Sequence, residues 1–203
     1  EMLGEHFAGF LVTDRWSAYT WVDATRRQLC WSHLIRDFQG FVDRGGRGGE
    51  IGETLLDQVD KMFTWWHRVR DGTLDRAAFQ AEMKPVQAKI IELLHEAEEL
   101  DEVNEKKTLG MAKKILGIED ALFTFVKVEG IEPTNNFGER QVRPGAMWRR
   151  TSFGTQSEAG SRFVERMLTT VATLRQQKRS VLEFLTDAYA AHLERRPGPS
   201  LLP

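Results

Sequence analysis

The chain has 203 residues, 41% apolar and 29% charged, with a net charge of −2. That balance fits one fair-sized globular domain or two small ones and excludes a disordered or membrane chain. No apolar run approaches the roughly 20 residues of a membrane-spanning helix, no basic start followed by an apolar stretch marks a secretion signal, and the single cysteine, Cys30, forms no internal disulfide and favours a reducing cytoplasm.

In chain order, Glu1 to His6 reads as the tail of a helix. Phe7 to Thr13 is almost wholly apolar, the pattern of a short strand covered on both faces. Arg27 to Trp31 is a second strand candidate. A stable sheet usually needs three or more strands, so further strands are expected upstream of Glu1. A helix over His33 to Val42 precedes a glycine-rich break, Gly45 to Gly49. Ile51, Leu55, Leu56, Val59, Met62, Phe63, Trp66 and Val69 then share one helix face, and Gly72 ends that helix. Asp75 is an N-cap candidate for the next, with Phe79, Met83, Val86, Ile90 and Leu94 inward and a kink or break expected at Pro85. A third helix is expected from Lys106 to Val126, with Leu109, Ala112, Leu116 and Phe123 inward.

Gly130 to Thr134 interrupts the pattern again. Thr134 or Asn135 caps a helix that carries Glu139 and Arg140 and should end near Pro144. A longer helix, Ser157 to Gln177, places Phe163, Met167, Val171 and Leu174 on one face. Ser180 and Glu183 form a capping box for a last helix through Leu193, and Pro197 to Pro203 reads as a frayed tail. The helical block 45–128 looks like an insertion, because it separates polar segments that make better sense together.

Charge is divided along the chain. Eight acids and two lysines lie between Glu82 and Glu105, whereas nine bases and three acids lie between Glu139 and Arg179. Opposite signs suggest different partners for the two regions, or simply two solvated faces.

Three polar segments carry candidate chemistry. Asp14 follows the first strand, at the sheet rim where ligands of α/β sheets bind. Its short carboxylate suits Mg²⁺, and it suits equally a cap of the turn. In Thr134 to Pro144, Asn135 and Asn136 can donate to phosphate or fix a carboxylate, and Glu139 and Arg143 fall on one helix face. The plainer alternative is a capped surface helix with an ion pair of about 0.3–0.5 kcal/mol. In Cys30 to Phe38, Cys30 and His33 have zinc-like spacing, but a structural zinc site wants four ligands and no second cysteine exists. Cys30 is therefore read as a small buried residue and His33 as a polar contact near the strand end.

Taken together, LVTDRWSAY around Asp14, CWSHLIRDF from Cys30, TNNFGERQVRP from Thr134, RRTSFGTQSEAG from Arg149 and the closing VLEFL helix resemble the insertion-sequence sixty-six family of transposases. The resemblance covers most of the chain and is weakest over 45–128. It implies an α/β, mostly helical fragment: a partial RNase H-like core over residues 1–44, a large α-helical insertion over 45–128, and the rest of the core with closing helices over 129–203. Asp14 would match the second acid of an Asp-Asp-Glu triad and Glu139 the third. The first acid would lie upstream, so the full-length protein is expected to be an enzyme of this transposase class and this fragment alone inactive.

The resemblance also implies a two-metal site for Mg²⁺ or Mn²⁺ at Asp14 and Glu139, hydrolysing phosphodiesters and transferring strands at transposon ends. Asp14 and Glu139 are expected within metal-bridging reach of each other. Arg140, Arg143, Arg149 and Arg150 are assigned to DNA phosphates, with Asn135, Asn136, His33 and Arg36 lining the site. Expected partners are transposon-end DNA, target DNA and further copies of the chain assembled on DNA. Gly138 stands where a helix former is expected and hints at close packing. The tryptophans (Trp16, Trp21, Trp31, Trp65, Trp66 and Trp148) can stack on unpaired bases, although core or interface positions are their ordinary use. Trp65 and Trp66 are expected to be exposed, facing another subunit or the missing N-terminal part. The alternatives are another RNase H-like nuclease and a non-enzymatic DNA-binding or oligomerisation module.

Overall fold

The computed structural model describes residues 7–202. The helix tail expected over Glu1 to His6 lies outside the described residues. The chain divides into two compact units, Glu1–Asn136 and Phe137–Pro203. Eight α-helices and two strands are present among the described residues, so the chain is mostly helical. No described helix is long and apolar enough to cross a membrane.

In the first unit, β1 (Leu11–Thr13) and β2 (Arg27–Leu29) pair in parallel, with Leu11 opposite Arg27 and Thr13 opposite Leu29. Both strands are shorter than expected. Pairing stops where Trp31 begins α1 (Trp31–Arg44), with Cys30 as its N-cap. Parallel strands require a long crossover, here residues 14–26, which hold two short 3₁₀ turns. Because the strands run the same way, their carboxyl ends lie together.

Helices α2 (Gly46–Arg70), α3 (Arg76–Glu98), α4 (Lys106–Leu116) and the short α5 (Thr124–Lys127) complete this unit. The expected inward faces of α2 and α3 enter one core: Phe38, Leu55, Met62, Phe79 and Ile90 are completely buried. Each such side chain contributes about 1.5–3 kcal/mol of burial. Trp66, expected at the surface, lies between Phe79 and Phe125, its ring 5.8 and 5.4 Å from theirs. Trp65 is partly buried against the same core, with the Arg68 guanidinium 5.2 Å from its ring centre. The helical repeat explains the correction, since Trp66 continues the Ile51–Val59–Met62 face inward.

The glycine-rich stretch is a break only at its start. Gly45 and Gly46 have φ 72° and 65° and turn the chain from α1 into α2, whose first turn spans Gly46 to Gly49. Their smallness admits the Glu105 carboxylate, which accepts from Arg47 N–H at 3.1 Å and Gly48 N–H at 2.6 Å, two donors with no partner inside the helix. A Cβ on Gly48 would sit 2.4 Å from that carboxylate. At Gly52 a Cβ would meet the α1 backbone, 2.9 Å from Val42 N and 3.0 Å from Phe38 O, so this glycine sets the close crossing of α1 and α2.

Two further expectations change. Helix α3 runs through Pro85 without a break, with Met83 and Val86 buried on either side of it; tertiary burial outweighs one lost backbone bond. The single helix expected over Lys106 to Val126 ends at Gly117, followed by a 3₁₀ turn and α5. The break frees the Leu122 carbonyl from helical pairing, and it accepts from Gln28 Nε2 and Trp31 Nε1, each at 2.9 Å. Asp75 caps α3 as expected, accepting from Ala78 N–H at 2.8 Å.

The second unit comprises most of α6 (Asn136–Ser152), with α7 (Glu158–Gln176) and α8 (Val181–Glu194). Ser157 and Ser180 cap the last two helices by accepting from Gly160 and Glu183 N–H. Helix α6 was expected to end near Pro144 but continues to Ser152. Gly145 packs closely enough on α7 that a Cβ would lie 3.2 Å from Leu168 Cδ1, and Gln176 Nε2 donates to Gln141 Oε1 at 3.2 Å. Phe163, expected inward, is 63% exposed, whereas Leu174 is fully buried.

Candidate functional site

The sequence puts a carboxylate directly after β1, and the backbone there is fixed from several sides. Asp14 Oδ1 accepts from Trp16 N–H at 2.9 Å, the turn-capping role open to any aspartate at this position. Among the described residues, Oδ2 receives no hydrogen bond, which leaves one hard oxygen donor at the strand end. Arg15 donates to Asp37 of α1 at 2.5 Å, both side chains 18% exposed, and so ties the turn to that helix. Thr13 Oγ1 donates to the Asp14 carbonyl at 2.8 Å.

Arg27 lies beneath this turn and is only 3% exposed. Its Nη2 donates to Thr13 Oγ1 at 3.2 Å and to the Asp14 carbonyl at 3.3 Å. Burial lowers its pKa from the ordinary arginine value, opposed by the charges of Asp14 and Tyr19. It remains a cation at neutral pH, so Asp14 also serves as the counter-charge of a buried guanidinium. Sequence reading missed Arg27; its one signal is a charged residue inside a buried strand.

The same strand end gathers the other polar segments. Cys30 N–H donates to the Thr13 carbonyl at 2.7 Å, and Trp31 N–H to the Pro133 carbonyl at 3.0 Å. Cys30 is buried, as expected, and its Sγ accepts from Asn135 N–H at 3.2 Å. Thus the Asp14 turn, the start of α1 and the segment entering α6 meet at the carboxyl ends of the parallel pair. His33 is half-buried in the first turn of α1, and Arg36 is exposed one turn later. Asn135 is half-buried and Asn136 exposed.

β2 is held by groups that sequence reading also missed. Gln28 is fully buried, and its Oε1 accepts from Phe125 N–H at 2.8 Å. Thr124 Oγ1 donates to the Arg27 carbonyl. These bonds anchor the strand beneath the candidate acid to the far end of the helical block.

In the second unit, Glu139 lies exposed in the first turn of α6, where the helix dipole favours a carboxylate. Arg140, Arg143, Arg149 and Arg150 are all exposed on the same helix. At roughly 100° per residue, Arg143 and Arg150 share the face of Glu139, whereas Arg140 and Arg149 point to either side. The arginines therefore surround the helix rather than forming one stripe. A shallow concavity along α6 is lined by Val142, Arg143, Met147, Arg149 and Arg150.

The family model described as Transposase IS66 family matches residues 1–163, and the chain belongs to that family. A curated relative, the uncharacterized protein y4qI of Sinorhizobium fredii (strain NBRC 101917 / NGR234), is 30% identical over 187 residues, covering 84% of this chain and 32% of the relative. The chain thus spans about a third of that relative's length. No solved structure matches.

Proposed function

We propose that the chain supplies Asp14 and Glu139 as two carboxylates of a metal-dependent DNA transposase, which hydrolyses phosphodiesters and transfers strands at transposon ends. The observation that carries this reading is the convergence at the end of β1. A carboxylate with one oxygen unengaged among the described residues stands where the Cys30–His33 and Pro133–Asn135 segments meet, in a chain of a transposase family. Oxygen donors of this kind fit Mg²⁺ or Mn²⁺. Asp14 and Glu139 would hold such ions, whose chemistry would be to activate a water or 3′-hydroxyl and to stabilise the leaving oxygen. The protein's own part is to present Asp14 on a turn fixed by Arg15, Arg27 and Thr13. Arg143 and Arg150, on the Glu139 face, are assigned to phosphate oxygens of the DNA, with Arg140 and Arg149 reaching flanking phosphates and Arg36, His33, Asn135 and Asn136 lining the approach.

Within the same reading, residues 1–44 and 129–203 belong to an RNase H-like core, and 45–128 is a helical insertion that braces it through Gln28, Trp31 and Thr124. Transposon-end and target DNA are the substrates, and several copies assemble on them. The test is an assay of the full-length protein on its transposon-end DNA. Cleavage and strand joining that require Mg²⁺ or Mn²⁺ are expected. Cutting of branched junctions or RNA–DNA hybrids in preference to transposon ends would overturn the reading in favour of a different nuclease.

A further inference from the structure

The crossover between the two strands does more than connect them. It returns from Asp14 to Arg27 through a series of local bonds: Tyr19 N–H to the Trp16 carbonyl at 3.2 Å, Val22 N–H to the Tyr19 carbonyl at 3.1 Å, and Arg26 N–H to the Asp23 carbonyl at 2.9 Å. Val22 is buried and anchors its middle. Two tryptophans face outward from this pinned backbone, Trp16 at 63% and Trp21 at 56% exposure. Tyr19 meets Trp16 edge-on, ring centres 5.9 Å apart, which limits how that indole can turn.

The exposure is selective. Of the six tryptophans, Trp31 and Trp66 are buried and Trp65 and Trp148 half-buried. Apart from Val103, the large apolar side chains exposed among the described residues of the first unit are Phe10, Trp16 and Trp21, all close in sequence to Asp14. Around the two indoles the loop is hydrophilic, with Ser17, Thr20, Thr25 and Arg26 exposed. Its carboxylates are engaged locally: Asp14 accepts from Trp16 N–H, and Asp23 accepts from Thr25 N–H at 2.8 Å and Thr25 Oγ1 at 2.6 Å. Those bonds hold the Asp23 pKa below its ordinary value. Flat aromatic faces among hydroxyls and an exposed arginine complement a ligand with π-faces and a phosphate backbone.

We infer that the 14–26 loop is a stacking platform for unpaired nucleobases of single-stranded DNA, with Trp16 and Trp21 as the stacking groups and Arg26 as a phosphate contact. The inference rests on the assignment of Asp14 to DNA chemistry, because a strand being cut or joined exposes unpaired bases beside that acid. Stacking accepts any base, so the platform adds grip on a frayed end without reading its sequence.

The test is binding of the chain, in EDTA, to oligothymidylate, to a duplex of equal length, and to an abasic sugar-phosphate oligomer. Working without metal separates it from the catalytic reading, which stands or falls on cleavage. Trp16→Ala and Trp21→Ala should each weaken oligothymidylate binding about ten-fold and leave duplex and abasic binding unchanged. Trp16→Phe and Trp21→Phe should retain most of the affinity. Equal binding of oligothymidylate by wild type and both alanine variants would overturn the platform, as would wild-type affinity no greater for oligothymidylate than for the abasic oligomer. A change confined to the sedimentation of the chain would also overturn it, by showing that another copy covers the indoles.

Discussion

In the first unit, Leu34, Phe38, Phe41, Phe79 and Phe125 have no solvent exposure, and five helices share one continuous core. In the second, Leu174 and Ala191 are the buried apolar residues among those described, while Phe137, Val142, Phe153 and Phe163 are each more than 60% exposed. Both units contain helices with side-chain caps, so helix-forming signals alone do not distinguish them. The difference lies in what the apolar faces meet: α1 and α2 cross closely at Gly52 and share one core with α3, whereas α6 buries no residue completely. Under the proposed function this difference would divide the labour, the packed unit fixing the Asp14 turn and the arginine-rich unit carrying Glu139 to a polyanionic partner.

That contrast can be broken by making one chemical change in both units. Phe125→Ala removes a ring packed on Trp66 and Phe79 and should cost about 3–5 kcal/mol in urea denaturation followed by circular dichroism. Gly52→Ala introduces one methyl against the α1 backbone and should cost about 1–3 kcal/mol in the same experiment. Phe163→Ala, on an exposed face of α7, should change stability by less than about 0.5 kcal/mol. Similar losses for Phe125→Ala and Phe163→Ala would show that the second unit is as tightly packed as the first, and the proposed division would fail.

The sequence was most informative where one local interaction decides the outcome. Asp75 and Ser180 cap the helices expected of them, and the inward faces of α2 and α3 follow from helical spacing. It was least informative where a distant group intervenes. The end of α4 at Gly117 depends on side chains of β2 and α1 that take the Leu122 carbonyl. The first turn of α2 depends on Glu105, and the run of α3 through Pro85 depends on neighbouring helices. At the site, Asp14 stood out because a polar residue ended an apolar run. Gln28, Arg27 and Thr124 did not, because their importance comes from burial that only the fold creates. The outward turn of Trp16 and Trp21, against the inward turn of Trp66, likewise has no local signature beyond the loop they occupy.

Asp14 and Glu139 are the two carboxylates proposed to be catalytic, and neutral isosteres test that role most directly. In single-turnover cleavage of transposon-end DNA with Mn²⁺ by the full-length protein, Asp14→Asn and Glu139→Gln should each reduce the rate by at least about a hundredfold, since even outer-shell changes at metal sites cost 10–100-fold. Folding and DNA binding, measured in parallel, should be retained in both variants. Cleavage at the wild-type rate in either variant would make that acid a structural residue and contradict the account.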